Sequence, residues 1–222
     1  MQFEILKRPD FSWLQIQVPR GQRIFVEASA MASQSPNLRL QARLKGGFRR
    51  FLARESLFIS EFTAEHGAGE LCLAPGPFGD MAHVKLDSSA FYLASTCFLA
   101  HTEGVRFETK FQKLSQGLLS GMGWFLMRFS GSGDVWFNAY GEIIEMSVDG
   151  TEDLLIDNGH IVGFSEGVEY EIVKLGSYKS LFFSGEGFVC RFRGRGKIWI
   201  QTKKPQSLIA WAHQFRRLKS QN

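Results

Sequence analysis

Leu154-Leu155-Ile156-Asp157-Asn158-Gly159-His160-Ile161-Val162-Gly163-Phe164-Ser165-Glu166-Gly167-Val168-Glu169-Tyr170 decides the fold, because the chain carries nearly the same stretch twice before. Residues 24–40 and 91–107 align with it without a gap. Ile24-Phe25-Val26-Glu27 runs on to Pro36-Asn37-Leu38-Arg39-Leu40, and Phe91-Tyr92-Leu93 runs on to Glu103-Gly104-Val105-Arg106-Phe107. Each stretch is followed by a glycine-rich connector and then by two apolar runs joined at Gly67-Ala68-Gly69, Gly131-Ser132-Gly133 or Gly194-Arg195-Gly196. Self-similarity at a period of roughly 65 residues marks one structural unit repeated. The spacing predicts three β units beginning near Ile24, Phe91 and Leu154, each with Gly-x-Gly as the turn of a hairpin.

Strand signals dominate the rest. Phe11 to Val18 and Val105 to Phe111 alternate apolar with polar, which places one face on a core and the other in water. Asn158-Gly159 between Leu154-Leu155-Ile156 and Ile161-Val162 predicts a two-residue hairpin, since Asn-Gly accepts the positive φ of a type I′ turn. Helical spacing appears at the end, where Leu208, Trp211, Ala212, Phe215 and Leu218 recur three or four apart after Pro205. This predicts a helix over about 205–219 whose apolar stripe packs on the β body. No Pro- or Ser-rich linker divides the chain, so residues 1–222 are expected to form one body. Its repeats are expected at about 1–85, 86–149 and 150–204, packed about a pseudo-threefold axis because a unit of this size closes poorly alone.

The 222 residues are 44% hydrophobic and 22% charged, ordinary for a globular chain. No apolar run of membrane-spanning length occurs, and Met1-Gln2-Phe3-Glu4-Ile5 lacks the basic and apolar regions of a secretory signal. A cytoplasmic location is therefore expected. Cys72, Cys97 and Cys190 are odd in number and lie in apolar runs, which predicts packed, reduced thiols. Charge is segregated along the sequence: Phe129 to Val173 holds ten acids and no Lys or Arg, while Arg191 to Asn222 holds nine Lys or Arg and no acid. Such blocks either neutralise each other within one molecule or link one copy to the next.

Several stretches together resemble a known family: Glu27-Ala28-Ser29-Ala30-Met31, Glu55-Ser56-Leu57-Phe58, Leu73-Ala74-Pro75, Glu108-Thr109-Lys110-Phe111-Gln112, Asp157-Asn158-Gly159-His160 and Gly185-Glu186-Gly187-Phe188-Val189-Cys190-Arg191-Phe192. The chain is similar over nearly its whole length to the altered-inheritance-of-mitochondria 24 family. That resemblance implies an all-β fold of three pseudo-symmetric repeats, each a short double-stranded β-helix like the subunit of the tryptophan RNA-binding attenuation protein. It also implies an organising rather than enzymatic role, as of a fungal relative at the mitochondrial inner membrane. It carries over no catalytic residues.

The residues themselves offer little catalytic chemistry. His66, His83, His101, His160 and His213 form no pair at ligand spacing, and only Asp80 with His83 or His101 with Glu103 makes a two-ligand fragment. No metal, cofactor or catalytic residue is therefore assigned. Ser130-Gly131-Ser132-Gly133 lacks the outer glycines of a nucleophile elbow, and strands rather than helices follow the Gly-x-Gly turns, which removes a phosphate loop. The glycine-rich connectors stand out instead, because they carry large side chains. Phe48, Arg49, Arg50, Leu118, Leu119 and Tyr178 are either internal staples or a contact surface for another subunit, a protein partner or a lipid interface. Arg191, Arg193, Arg195 and Lys197 form a candidate basic patch. The expectation is a non-enzymatic binding or scaffolding protein that self-associates or holds a protein partner, with peripheral membrane contact. The alternative is a nucleic-acid binder using the basic C-terminal surface.

Overall fold

A computed structural model describes residues 1–45, 57–112, 124–174 and 188–216, and nearly all of its regular structure is strand. The first 75 residues hold β1 (Gln2–Leu6), β2 (Trp13–Val18), β3 (Arg23–Glu27), β4 (Met31–Gln34), β5 (Leu38–Lys45), β6 (Leu57–Ala64) and β7 (Gly69–Leu73). There follow β8 (Met81–Asp87), β9 (Phe91–Ala94), β10 (Phe98–Thr102), β11 (Val105–Gln112) and the long β12 (Trp124–Asn138). Then come β13 (Ile143–Asp149), β14 (Leu154–Asp157), β15 (Ile161–Ser165), β16 (Val168–Lys174) and the long β17 (Phe188–Gln201), and last the helix α1 (Pro205–His213). Among the described residues the protein is all-β with one helix, at the C-terminal end.

β12 and β17 organise the sheets. The first half of β12 pairs with β9 and β11, and its second half with β8 and β10. The first half of β17 pairs in the same way with β14 and β16, and its second half with β13 and β15. In the first 75 residues β6 and β7 divide these tasks: β6 takes β3 and β5, and β7 takes β2 and β4. One register recurs throughout, with Leu38 opposite Ala64, Val105 opposite Gly131 and Val168 opposite Gly194. β10 then pairs with β3, and β15 with β9, so the ladders join in a row. The described strands make a four-stranded sheet ordered β1-β2-β7-β4 and a thirteen-stranded one along β13-β17-β15-β9-β12-β10-β3-β6-β5. The hydrogen-bonded path does not return from β14 to β4 to close a ring.

The Gly-x-Gly stretches are not hairpin turns. β12 runs unbroken through Gly131-Ser132-Gly133 and β17 through Gly194-Arg195-Gly196. At these points each strand bends as its pairing passes from one set of partners to the other. Gly131 has φ +107°, and a Cβ on it would stand 2.3 Å from the Gly104 carbonyl oxygen; Gly194 has φ +92°, with the Gly167 oxygen equally near. Those same carbonyls accept from Ser132 N at 3.2 Å and Arg195 N at 3.1 Å, so the close approach is held by a hydrogen bond. Only glycine supplies both the left-handed φ and the space.

Asp157-Asn158-Gly159-His160 is likewise a corner and not a two-residue hairpin. β14 and β15 do not pair with each other; they lie on opposite halves of β17, joined by a single 3₁₀ turn at Asn158–His160. The Asp157 carboxylate accepts from Gly159 N at 2.7 Å, which holds the turn without positive φ. Ser95–Cys97 makes the matching 3₁₀ corner between β9 and β10.

Alternation along these strands fills three buried clusters, centred on Leu14, Ile16, Ile24 and Phe62, on Phe91, Phe98, Phe129 and Phe137, and on Phe164, Cys190, Phe192 and Ile198. The helix takes no part. It ends at His213 rather than near 219, and none of its residues is buried. The expected packing of its stripe on the β body is corrected: the cores are filled by strand side chains, and α1 leads away from the end of β17. A nine-residue helix with no side-chain cap gains little from propensity alone.

Gly131→Ala and Gly194→Ala should each lower stability by about 2 kcal/mol or more, since both the φ and the carbonyl contact oppose a side chain. Gly76→Ala, with nothing within 4 Å of a built Cβ, should change it by less than about 0.5 kcal/mol. Urea unfolding of the three variants checks the contrast.

Candidate functional site

The candidate basic patch lies on β17, whose alternation turns Phe192 and Ile198 inward and Arg191, Arg193, Arg195 and Lys197 outward. The pairing of β17 brings carboxylates against three of these cations and a backbone carbonyl against the fourth. Arg193 Nε reaches Asp153 Oδ2 at 3.0 Å, and Arg191 stands 3.6 Å from Asp153 and 3.8 Å from Glu171. Lys197 Nζ meets Glu145 Oε1 at 2.6 Å, and Arg195 Nε donates to the Asp149 carbonyl at 2.9 Å. The charge blocks that are separate in sequence are therefore interleaved in space, because β13, β14 and β16 flank the basic strand. Trp199 is buried and its indole N–H donates to Glu145 at 3.1 Å, so neither it nor Phe192 presents a face for base stacking.

The other candidate fragments separate. Asp80 is buried and binds the first loop: Arg8 Nε and Nη2 donate to its two oxygens at 2.7 and 2.8 Å, Ser12 Oγ at 3.2 Å and Met81 N at 2.8 Å. This bidentate pair raises the pKa of the Arg8 guanidinium further. His83 turns instead to Asp134, 2.9 Å away. His101 is buried, stacked on Phe25, with Nδ1 2.8 Å from the Thr102 carbonyl, while Glu103 pairs with Arg23. Neither two-ligand fragment forms. Among the described residues no three His, Cys, Asp or Glu side chains gather at metal-binding distance. A shallow groove of about 240 Å³ over β1 and β2, lined by Gln2, Phe3, Glu4, Gln15 and Gln17, brings only one ionisable side chain to its wall.

Two perturbed groups sit near each other. Burial pushes the Glu27 carboxyl up to about 7, and burial, with a smaller contribution from Glu27, pushes the Cys97 thiol up to about 12. Burial does the same to Cys190, also about 12. A nucleophilic cysteine needs its pKa lowered, so these thiols are tuned away from reactivity. All three cysteines are free and buried.

The exposed apolar side chains lie elsewhere. On α1, Ile209 is 66% and Trp211 59% exposed, and Phe215, two residues past its end, is 69% exposed with its ring edge to face against Trp211 at 5.1 Å. Lys203, Lys204, His213 and Arg216 accompany them with no acid between 203 and 216. Lys204 Nζ binds Asp157 Oδ2 at 3.1 Å and ties the helix start to the corner after β14. Phe11 and Phe78 form a second exposed pair, 6.2 Å apart beside Arg8 and Asp80. Sequence reasoning missed the Arg8–Asp80 anchor because 72 residues separate the partners and no local pattern announces it. The connector residues Phe48, Arg49, Arg50, Leu118, Leu119 and Tyr178 lie outside the described residues.

Two outcomes follow from the buried titratable groups. A carboxyl whose native pKa is raised holds its proton more tightly when folded. Its contribution is therefore present below about 4.5, lost as pH rises toward 7, and constant above. Glu27→Gln should remove up to about 2–3 kcal/mol of this slope between pH 4.5 and 7, read from urea midpoints of both proteins across that range. Separately, a thiol-reactive dye should label none of the three cysteines rapidly in the native protein and all three in denaturant; rapid native labelling would contradict their burial.

The chain resembles known proteins over almost its full length. An uncharacterised protein of Streptococcus pyogenes serotype M6 is 28% identical over 214 residues, 91% of this chain and 86% of that one. A crystal structure of a Streptococcus pyogenes protein superposes with a TM-score of 0.82 at 26% identity, covering 97% of this chain and 99% of the other. The family model described as mitochondrial biogenesis AIM24 matches residues 3–203, and the chain belongs to that family.

Proposed function

We propose that the protein is a non-enzymatic scaffolding module that docks on an anionic lipid surface through α1. The observation that carries this reading is the helix and the residues just after it, which offer Ile209, Trp211 and Phe215 to solvent among cations and without an acid. An apolar face flanked by Lys and Arg, with Trp at the boundary, suits the headgroup region of a membrane. No helix among the described residues is long and apolar enough to cross one, so contact of this kind is peripheral as far as helices are concerned. Burial pushes the Cys97 thiol away from the range of a nucleophile, which supports a binding role over catalysis. The nucleic-acid alternative draws less support, since Arg191, Arg193 and Lys197 face carboxylates and the nearby aromatics are buried.

Flotation with phosphatidylcholine vesicles, with and without phosphatidylglycerol, tests the reading. The protein should float with the anionic vesicles, with a blue shift of Trp fluorescence, and less so as salt rises. Trp211→Ser with Phe215→Ser should weaken binding by on the order of tenfold or more, because each aromatic buried contributes about 1.5–3 kcal/mol. Vesicle binding that is unchanged in the double variant, or absent in the native protein, would overturn the lipid reading.

A further inference from the structure

Two sheet edges end in the same way that two internal seams begin. β10 is added to β3 with Ala100 opposite Val26 and His101 opposite Phe25, and β15 is added to β9 with Gly163 opposite Leu93 and Phe164 opposite Tyr92. At both seams the rings directly across from each other stack, His101 on Phe25 at 4.9 Å and 17°, Phe164 on Tyr92 at 4.9 Å and 14°. The incoming strand carries the same irregularity each time, between Phe98 and Ala100 or between Ile161 and Gly163. β4 has that irregularity too, between Met31 and Ser33, which makes Ser33 and Gln34 the counterparts of Ala100 and His101. On the receiving side, Leu93 and Tyr92 lie opposite Met127 and Arg128 of β12, as Ile156 and Leu155 lie opposite Cys190 and Arg191 of β17.

Among the described strands both counterparts are open. β4 pairs with β7 on one side and β14 with β17 on one side, and no ladder joins β4 to β14. Leu155, in the place of Phe25 and Tyr92, is 47% exposed. Met31-Ala32-Ser33-Gln34 contains no charge and no proline, and β14 carries a charge only at its last residue, Asp157, which pairs with Lys204; charge and proline are the devices that usually blunt an edge. We propose that β14 of one copy adds antiparallel to β4 of a second copy of this chain, with Ile156 opposite Ser33 and Leu155 opposite Gln34. This joins the two half-ladders that lack a neighbouring one, by the register the chain already uses twice. Because the two edges differ, the contact is heterologous and propagates head to tail into a ring or a filament. The proposal does not depend on lipid binding.

Directly opposed residues of an antiparallel pair have Cβ atoms about 4.5–5.5 Å apart, near enough for a disulfide after small adjustment. Gln34→Cys with Leu155→Cys, mildly oxidised, should give a ladder on a non-reducing gel that rises in steps of one chain and collapses on reduction, whereas Leu155→Cys alone should give no species beyond a dimer. The native protein should show an average mass by light scattering that climbs with concentration. Leu155→Lys, at an exposed position that leaves the single molecule intact, should raise the concentration needed for association by on the order of tenfold or more. Closure of the disulfide within one chain, failure of the double variant to cross-link, a native protein that stays monomeric at every concentration, or association untouched by Leu155→Lys would each overturn the proposal.

Discussion

The architecture depends on one close contact made at two points: a glycine carbonyl, Gly104 or Gly167, resting against the backbone of a strand that must keep going. At Gly131 and Gly194 the carbonyl sits where any side chain would be, accepts the next amide, and lets β12 and β17 bend without breaking. Each long strand can then serve two groups of partners, so its inward residues reach the core from both sides of the bend. Phe129 and Phe137 on β12 contribute to one buried cluster, and Phe192 and Ile198 on β17 to another. In the first 75 residues the same passage is made by two strands, β6 and β7, with Glu65 to Ala68 between them.

This arrangement also governs the electrostatics. β17 carries four cations on its outer side, and flanking strands from the acidic stretch close against it. Each pair keeps a third or more of both side chains in water and contributes about 0–1 kcal/mol, so their sum is not what holds the sheet. Their consequence is functional: a surface that looks basic in sequence is nearly balanced in space. The exposed apolar surface is displaced instead to α1, which is tied to the body through Lys204 and Asp157 and leaves Trp211 and Phe215 in solvent.

Much of this was legible in the chain. Period-two alternation located β2 and β11 to within a residue or two, because a half-buried strand has to alternate. The aligned stretches from Ile24, Phe91 and Leu154 fall on ladders of one register, opposite Phe62, Phe129 and Phe192. The glycines were conspicuous, yet Gly-x-Gly reads equally as a hairpin and as a bend in a continuous strand. The difference lies in whether the residues before and after it pair with each other, and that is set by β8 to β11 arriving from elsewhere in the chain. Asp157-Asn158-Gly159-His160 misleads for the same reason: its local chemistry favours a turn, and only the partners of β14 and β15 make it a corner.

Composition and local periodicity were enough for the all-β class, the places of most strands and the buried thiols, since each rests on a few neighbouring residues. Tertiary structure decided what long-range partners decide. It set acids from β13, β16 and the loop before β14 against Arg191, Arg193 and Lys197, joined Arg8 to Asp80, and left the stripe of α1 without a core to enter. A helix's apolar face states only that it needs cover. Whether the chain provides that cover depends on what the rest of the fold sets beside it, and no residue of α1 is buried.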